Sequence, residues 1–209
     1  MKIKAILFDM DGVLIDAKEW HYEALNKALK LFGYEINRYE HLSSYDGLPT
    51  KVKLERLTSE KGLPKYLHSF INEMKQKYTM DITHNYCRPI FNHEYALSKL
   101  KSEGYKLAVC SNSIKNTIDI MMNMSALDKY LDLKLSNEDV KESKPDPEIY
   151  IKAMEKLNLP AKECLIIEDN ENGIKAAKSS GANLLVVRTV DEVNYNNIKT
   201  RILELESKK

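Results

Sequence analysis

The stretch Ile3-Lys4-Ala5-Ile6-Leu7-Phe8, followed at once by Asp9-Met10-Asp11-Gly12-Val13-Leu14, decides how this chain is read. The first run is short, aliphatic and sharply bounded, which suits a buried strand rather than a helix. The acids that end it stand two positions apart in a turn, where both can project into one cleft, and Gly12 permits a tight backbone path. Working outward, Lys106-Leu107-Ala108-Val109-Cys110 ends at Ser111 in the same way, and Cys164-Leu165-Ile166-Ile167 ends at Glu168. Leu184-Leu185-Val186-Val187 reads as a fourth strand and Leu133-Lys134-Leu135 as a weaker one.

Helical patterns fill the spaces. Ala96, Leu97 and Leu100 share a face within 93–103, and Gly104 supplies a stop. Ile114, Ile118, Met121 and Met122 mark 113–124. Ile149, Ala153, Met154 and Leu157 mark 147–157, with Asp146 placed as N-cap and Pro147 as the first helical residue. A further helix over 171–180 ends before Gly181. Strands alternating with such helices predict an α/β fold, a mostly parallel sheet with helices on both faces. Residues 17–84 break the rhythm, with helical patterns at 18–32, 50–61 and 65–80 and no convincing strand. The expected organisation is a core formed by 1–16 and 85–209, interrupted by an all-helical insertion over 17–84. Ile198, Ile202 and Leu205 predict a terminal helix, with a fraying tail over Glu206–Lys209.

Composition narrows the classes. Lys and Arg total 32 against 31 Asp and Glu, a net charge of +1, so no basic field argues for nucleic acid or an anionic membrane. At 43% apolar and 30% charged, the 209 residues can bury a core, and no run approaches a membrane span. Cys87, Cys110 and Cys164 lack metal-ligand spacing and read as buried free thiols in a reducing compartment. A cytoplasmic protein is expected, with no apolar stripe demanding a partner and a monomer permitted.

In an open parallel sheet, ligands bind beyond the carboxyl ends of the strands. There the sequence places Asp9 and Asp11, then Ser111-Asn112-Ser113, then Lys144-Pro145-Asp146-Pro147, then Glu168-Asp169-Asn170 with Gly173 opening a helix. A hydroxyl and amides at a helix start can hold an anion. Four carboxylates at one sheet edge repel unless a lysine and a cation sit among them, and an oxygen-only donor set favours Mg²⁺. Taken singly, each piece has an ordinary explanation as a cap, a dipole contact or a solvated pair. Their order, each after a separate strand or crossover, is what points to a site.

With those residues in view, the sequence resembles the haloacid dehalogenase-like superfamily, in the branch with a helical cap inserted after the first strand. Within it, the chain is similar to the β-phosphoglucomutase and phosphoglycolate phosphatase group. The motifs that carry the resemblance are FDMDGVL at 8–14, CSNS at 110–113, KPDP at 144–147 and IIEDNENG at 166–173. The resemblance implies a Rossmann-like core, Mg²⁺ dependence and phosphoryl transfer through an aspartyl-phosphate. It implies Asp9 as nucleophile and Asp11 as general acid, then base. Ser111, the Asn112 backbone and Lys144 would hold the phosphoryl group. Asp9, the Asp11 carbonyl, Asp169 and Glu168 would hold the metal. The second acid argues against the dehalogenase branch, because halide departure needs no proton.

The cap is harder to read. His21 aligns with a histidine that gates the general acid in the mutase, although phosphatases of the group carry it too. A helix-borne histidine used only for packing is an equal reading. Tyr45-Asp46-Gly47-Leu48-Pro49-Thr50 resembles the substrate-specificity loop, making His21, Gly47 and Thr50 the cap candidates. A mutase of this group would carry Arg at the position of Thr50, and a hydroxyl cannot replace a bidentate guanidinium. Lys51 and Lys53 nearby could substitute for it, but such lysines are more often simply solvated. Seven of the twelve tyrosines fall within 17–86, and interhelical packing is their simplest use. The expected function is a Mg²⁺-dependent phosphatase acting on a small phosphorylated metabolite such as a sugar phosphate. The alternatives are a β-phosphoglucomutase-like phosphomutase and, further off, a phosphoryl-accepting receiver domain or a binding-only protein.

Overall fold

A computed structural model describes residues 2–207. The chain divides into two compact units, Met1–Asp16 with Arg88–Lys209, and Ala17–Cys87. The first unit holds a sheet of five parallel strands: β1 Ala5–Phe8, β2 Lys106–Cys110, β3 Leu133–Leu135, β4 Cys164–Glu168 and β5 Asn183–Val186. Their spatial order is β3-β2-β1-β4-β5, so β1 is central and the order reverses between β1 and β4. That reversal opens a crevice at the carboxyl ends of β1 and β4, the position where doubly wound sheets bind ligands.

Register follows from the pleat. Ile6 pairs with Leu107 and Leu165, and Phe8 with Val109 and Ile167, so these side chains share one face. Ala5, Leu7, Ala108, Cys110, Cys164 and Ile166 form the core on the other, and all six are fully buried. Complete burial of each larger aliphatic or aromatic side chain contributes about 1.5–3 kcal/mol. In chain order the second unit contributes helices α1 Lys18–Lys30, α2 Thr50–Lys61 and α3 His68–Tyr86. The first contributes α4 Phe91–Ser102, α5 Lys115–Met124, α6 Glu148–Leu157, α7 Glu171–Ser179 and α8 Tyr195–Ser207. Helices α6 and α7 cover one face of the sheet, while α4 packs against α8 and β2. His93 on α4 is fully buried, with Nδ1 3.1 Å from the Leu14 carbonyl and Nε2 2.8 Å from that of Val190, tying the helix to the turn after β1. Among the described residues, no helix is long and apolar enough to cross a membrane.

Three expectations need correction. Helix α6 begins at Glu148, with Pro147 in the capping position because its carbonyl accepts the Ile151 N–H at 3.0 Å, while the Asp146 carboxylate accepts the Glu148 N–H at 2.9 Å from one residue further out. Strand β5 is an edge strand rather than a buried one; Leu184 and Leu185 are half-buried and Val186 is exposed, since nothing pairs on its outer side. Glu206 does not belong to a frayed tail. It lies within α8 and accepts the Ile3 N–H at 2.9 Å, fastening the helix to the chain just before β1. Residues 208–209 of that tail lie outside the described residues. Among the described residues no cysteine forms a disulfide, and all three are buried.

The second unit is helical throughout. Helices α1 and α3 pack along each other, and α2 closes a core of Leu25, Leu29, Tyr45, Leu54, Leu57 and Ile71. Helix α1 buries Ala24, Leu25, Ala28 and Leu29 as one stripe, and carries Glu19 in its first turn with Lys27 and Lys30 in its last, matching the helix dipole. Asn37 and Glu40 cap a short turn reciprocally, and it runs into a π-helical turn, His41–Tyr45. His41 is 2% exposed, and neither ring nitrogen has a hydrogen-bond partner among the described residues. Burial, reinforced by Lys53, His21 and Arg38 against the opposing pull of Asp46, lowers its imidazole from the ordinary 6.5 to about 4.

A stability change with pH follows. The unfolded chain takes up a proton below the ordinary value of 6.5, while folded His41 refuses it until about pH 4. Stability present at neutral pH is therefore lost as pH falls through that window, by about 3 kcal/mol in all. In urea titrations between pH 7 and pH 4, His41→Phe is expected to unfold with a flatter pH profile than the parent. An unchanged profile would show that His41 is not the group responsible.

Candidate active site

The polar turn after β1 is shaped by its backbone. The N–H groups of Val13, Leu14 and Ile15 all point back to the Met10 carbonyl, and Gly12 adopts φ 90°, a left-handed conformation that side-chain-bearing residues resist. This winding leaves Asp9 at the mouth of the crevice, its N–H paired with the Ile167 carbonyl at 3.0 Å. The Asp11 carboxylate accepts a hydrogen bond from Ser113 Oγ at 3.0 Å. Ser113 also donates its N–H to Ser111 Oγ at 3.0 Å, so the segment after β2 holds one acid while presenting the buried Ser111 hydroxyl.

Lys144 is the centre of the charge arrangement. Its ammonium, 3% exposed, donates to Asp9 Oδ1 at 2.6 Å, Glu168 Oε1 at 2.7 Å and the Cys110 carbonyl at 2.8 Å, which uses all three protons. The backbone of Lys144 is clamped by the Asn112 side chain, whose Oδ1 accepts the Lys144 N–H at 3.1 Å and whose Nδ2 donates to the Lys144 carbonyl at 3.2 Å. Removing the lysine from a buried charge set of this kind costs about 3–5 kcal/mol, because the carboxylates are left uncompensated.

Burial pushes the Asp9 carboxyl well above the ordinary carboxylate range, and Glu168, Asp169 and Asp11 add to the rise against the pull of Lys144. Burial alone would lower Lys144, but Asp9 and Glu168 carry its ammonium above the ordinary value. One lysine thus fails to neutralise the cluster. Asp9, Glu168 and Asp169 each offer a carboxylate oxygen, all within 4.8 Å of one another. A donor set made only of carboxylate oxygens, with excess negative charge, fits a hard divalent cation such as Mg²⁺.

Of the seven core residues singled out from sequence, Asp9 and Asp11 follow β1, Ser111 and Asn112 follow β2, Lys144 lies in the crossover after β3, Glu168 ends β4 and Asp169 follows it. The cap candidates belong to the other unit. His21 lies in α1, with Nδ1 3.3 Å from Lys75 Nζ; Gly47 follows the π-helical turn at φ 69°; Thr50 is the first residue of α2. Lys53 is not solvated as expected. It is buried on α2, 7% exposed, and Lys75 is similarly buried at 8%. Tyr45 is buried and donates to Glu60 Oε2 at 2.7 Å, a packing role.

Two residues escaped the sequence reading. Tyr150, on the first turn of α6, donates to Glu168 Oε1 at 2.5 Å. Gly173, noted only as a helix opener, lies so close to Glu168 that an added Cβ would meet its carboxylate at 1.9–2.1 Å. The one available signal was that both lie on the helices that directly follow motif residues.

The sheet order, the acid pair after β1 and the buried lysine define a class, and comparison with known proteins agrees. The haloacid dehalogenase-like hydrolase family pattern matches residues 6–187, and the chain belongs to that family. It is 31% identical over 179 residues to a phosphoglycolate phosphatase of Aquifex aeolicus, covering 86% of this chain and 82% of the relative. It is 29% identical over 184 residues to a phosphorylated carbohydrates phosphatase of Thermotoga maritima, with coverages of 86% and 82%. Among solved structures, a β-phosphoglucomutase from Clostridium difficile superposes with a TM-score of 0.84 at 25% identity, covering 97% of this chain and 98% of that one.

Proposed function

We propose that this hydrolase is a Mg²⁺-dependent phosphatase that cleaves a small phosphorylated metabolite, such as a sugar phosphate, through a phosphoryl group carried on Asp9. The observation that carries the reading is the pair of acids after β1 in different settings. Asp9 is buried against Lys144 at 2.6 Å, and Asp11 is held by Ser113 at 3.0 Å. A carboxylate oxygen of Asp9 attacks phosphorus as the ester oxygen leaves, and Asp11 gives that oxygen its proton. Water then attacks the aspartyl-phosphate, Asp11 takes the water proton, and phosphate departs with Asp9 restored. The Ser111 hydroxyl and Lys144 stabilise the charge on the transferring group.

Asp9, Glu168, Asp169 and the Asp11 backbone carbonyl would hold Mg²⁺, which when bound offsets the carboxylate charge and polarises the phosphoryl oxygens. The named relatives support a phosphatase, and the mutase neighbour supports the alternative of a phosphomutase. Thr50, in place of a guanidinium that would grip a second phosphate, favours the phosphatase. Incubation with sugar phosphates and Mg²⁺, followed by phosphorus NMR, tests the reading. Stoichiometric inorganic phosphate is expected, with loss of turnover in EDTA and recovery on adding Mg²⁺. Isomerised sugar phosphate without phosphate release would favour the mutase, and a single acyl-phosphate per chain without turnover a receiver.

A further inference from the structure

The phenol of Tyr150 is fully buried, and packing alone would need only its ring. A buried hydroxyl is costly unless it is bonded, and this one is bonded to Glu168 Oε1 at 2.5 Å. That oxygen also receives Lys144 at 2.7 Å, while among the described residues Oε2 takes the Asp169 N–H alone, at a longer 3.2 Å. The ring itself lies under the Lys144 ammonium, 4.7 Å from the centroid, and the Gly173 backbone is packed flush against the carboxylate. Glu168 is thus pinned through Oε1, with lone-pair capacity left on Oε2.

We propose that Tyr150 is a positioning residue that fixes Glu168 so that Oε2 is the oxygen presented to the cation. This rests on the Mg²⁺-dependent reading above. The choice of a phenol has an electrostatic reason. A second cationic donor on Glu168 would orient it equally well but would repel the metal, whereas a neutral O–H orients without subtracting negative charge. Crossover geometry makes this economical, because Lys144 and Tyr150 are delivered by one segment, the lysine before α6 and the tyrosine on its first turn.

Tyr150→Phe keeps the ring under Lys144 and removes only the hydroxyl. Calorimetric titration of metal-free protein with Mg²⁺ is expected to show affinity reduced about tenfold. The Mg²⁺ concentration for half-maximal turnover of p-nitrophenyl phosphate should rise by a similar factor, with kcat at saturating Mg²⁺ much less affected. A purely structural tyrosine would instead lower the thermal midpoint of the metal-free protein and leave Mg²⁺ affinity unchanged, which would overturn the proposal. Parent protein that neither binds Mg²⁺ nor turns over would overturn the underlying reading and the role of Tyr150 with it. Parent protein that binds Mg²⁺ with the same affinity as the variant would overturn the role of Tyr150 alone.

Discussion

Asp9→Asn is expected to reduce turnover of p-nitrophenyl phosphate by about 10⁴-fold or more, since an amide cannot form the acyl-phosphate on which both half-reactions depend. The variant should nonetheless fold. Asparagine matches aspartate in shape, and its carbonyl can still accept from the Lys144 ammonium that lies 2.6 Å from Asp9 Oδ1. The substitution also removes one of the charges that repel Glu168 and Asp169 beside it. Activity should therefore vanish without a corresponding loss in the thermal midpoint. Mass spectrometry of parent protein quenched in acid during turnover should find phosphate on the peptide containing Asp9, and the variant should show none. Near-normal activity in Asp9→Asn would remove Asp9 from the role of nucleophile.

Gly173→Ala should be nearly as damaging, for a purely steric reason. The added methyl would lie 1.9 Å from Glu168 Oε1, well inside contact distance, and Glu168 is fully buried. Gly33, Gly62 and Gly104 have open space and positive φ, so alanine there meets only backbone strain. At Gly173 the backbone is ordinary, and the whole cost arises from expelling a carboxylate from its seat. Displacing Glu168 breaks its bonds to Lys144 and Tyr150 and leaves the ammonium to Asp9 and the Cys110 carbonyl. A loss of about 3 kcal/mol in stability is expected, with Mg²⁺-dependent activity lower by about 100-fold. Urea unfolding and turnover at several Mg²⁺ concentrations measure both. A variant matching the parent in each would show that Glu168 tolerates movement.

Much of the candidate site is legible in the sequence. Each strand run that ends at a polar pair, at Phe8, Cys110 and Ile167, ends there or one residue later, because the aliphatic run that suits a buried parallel strand gives way at those points to polar side chains. The helix starts were less legible. Asp146 and Pro147 satisfy the rules for a helix beginning one residue earlier, but the first carbonyl to accept a helical N–H is that of Pro147, which sets the start at Glu148. The strand at Asn183–Val186 had the aliphatic content of a buried strand, and only its place at the sheet edge decided that it is half-exposed. In the cap, Lys53 reads as a solvated residue from the sequence, and nothing there marks Lys75 or His41 as buried. Their burial follows from interhelical packing, which leaves no trace in the spacing of charges.

The sequence alone determined the alternation of strand and helix and the acids, hydroxyl and lysine that follow successive strands. These depend on local periodicity and on the abrupt change from aliphatic to polar residues, which are properties of the chain itself. The tertiary structure decided that β1 sits centrally with β4 beside it, and so that Asp9 and Glu168 meet across one ammonium. It also decided that Tyr150 and Gly173 close around Glu168. Such contacts join residues far apart in sequence through the order of strands and the seating of helices. They are governed by steric fit and by the pairing of buried charge, neither of which a linear pattern encodes.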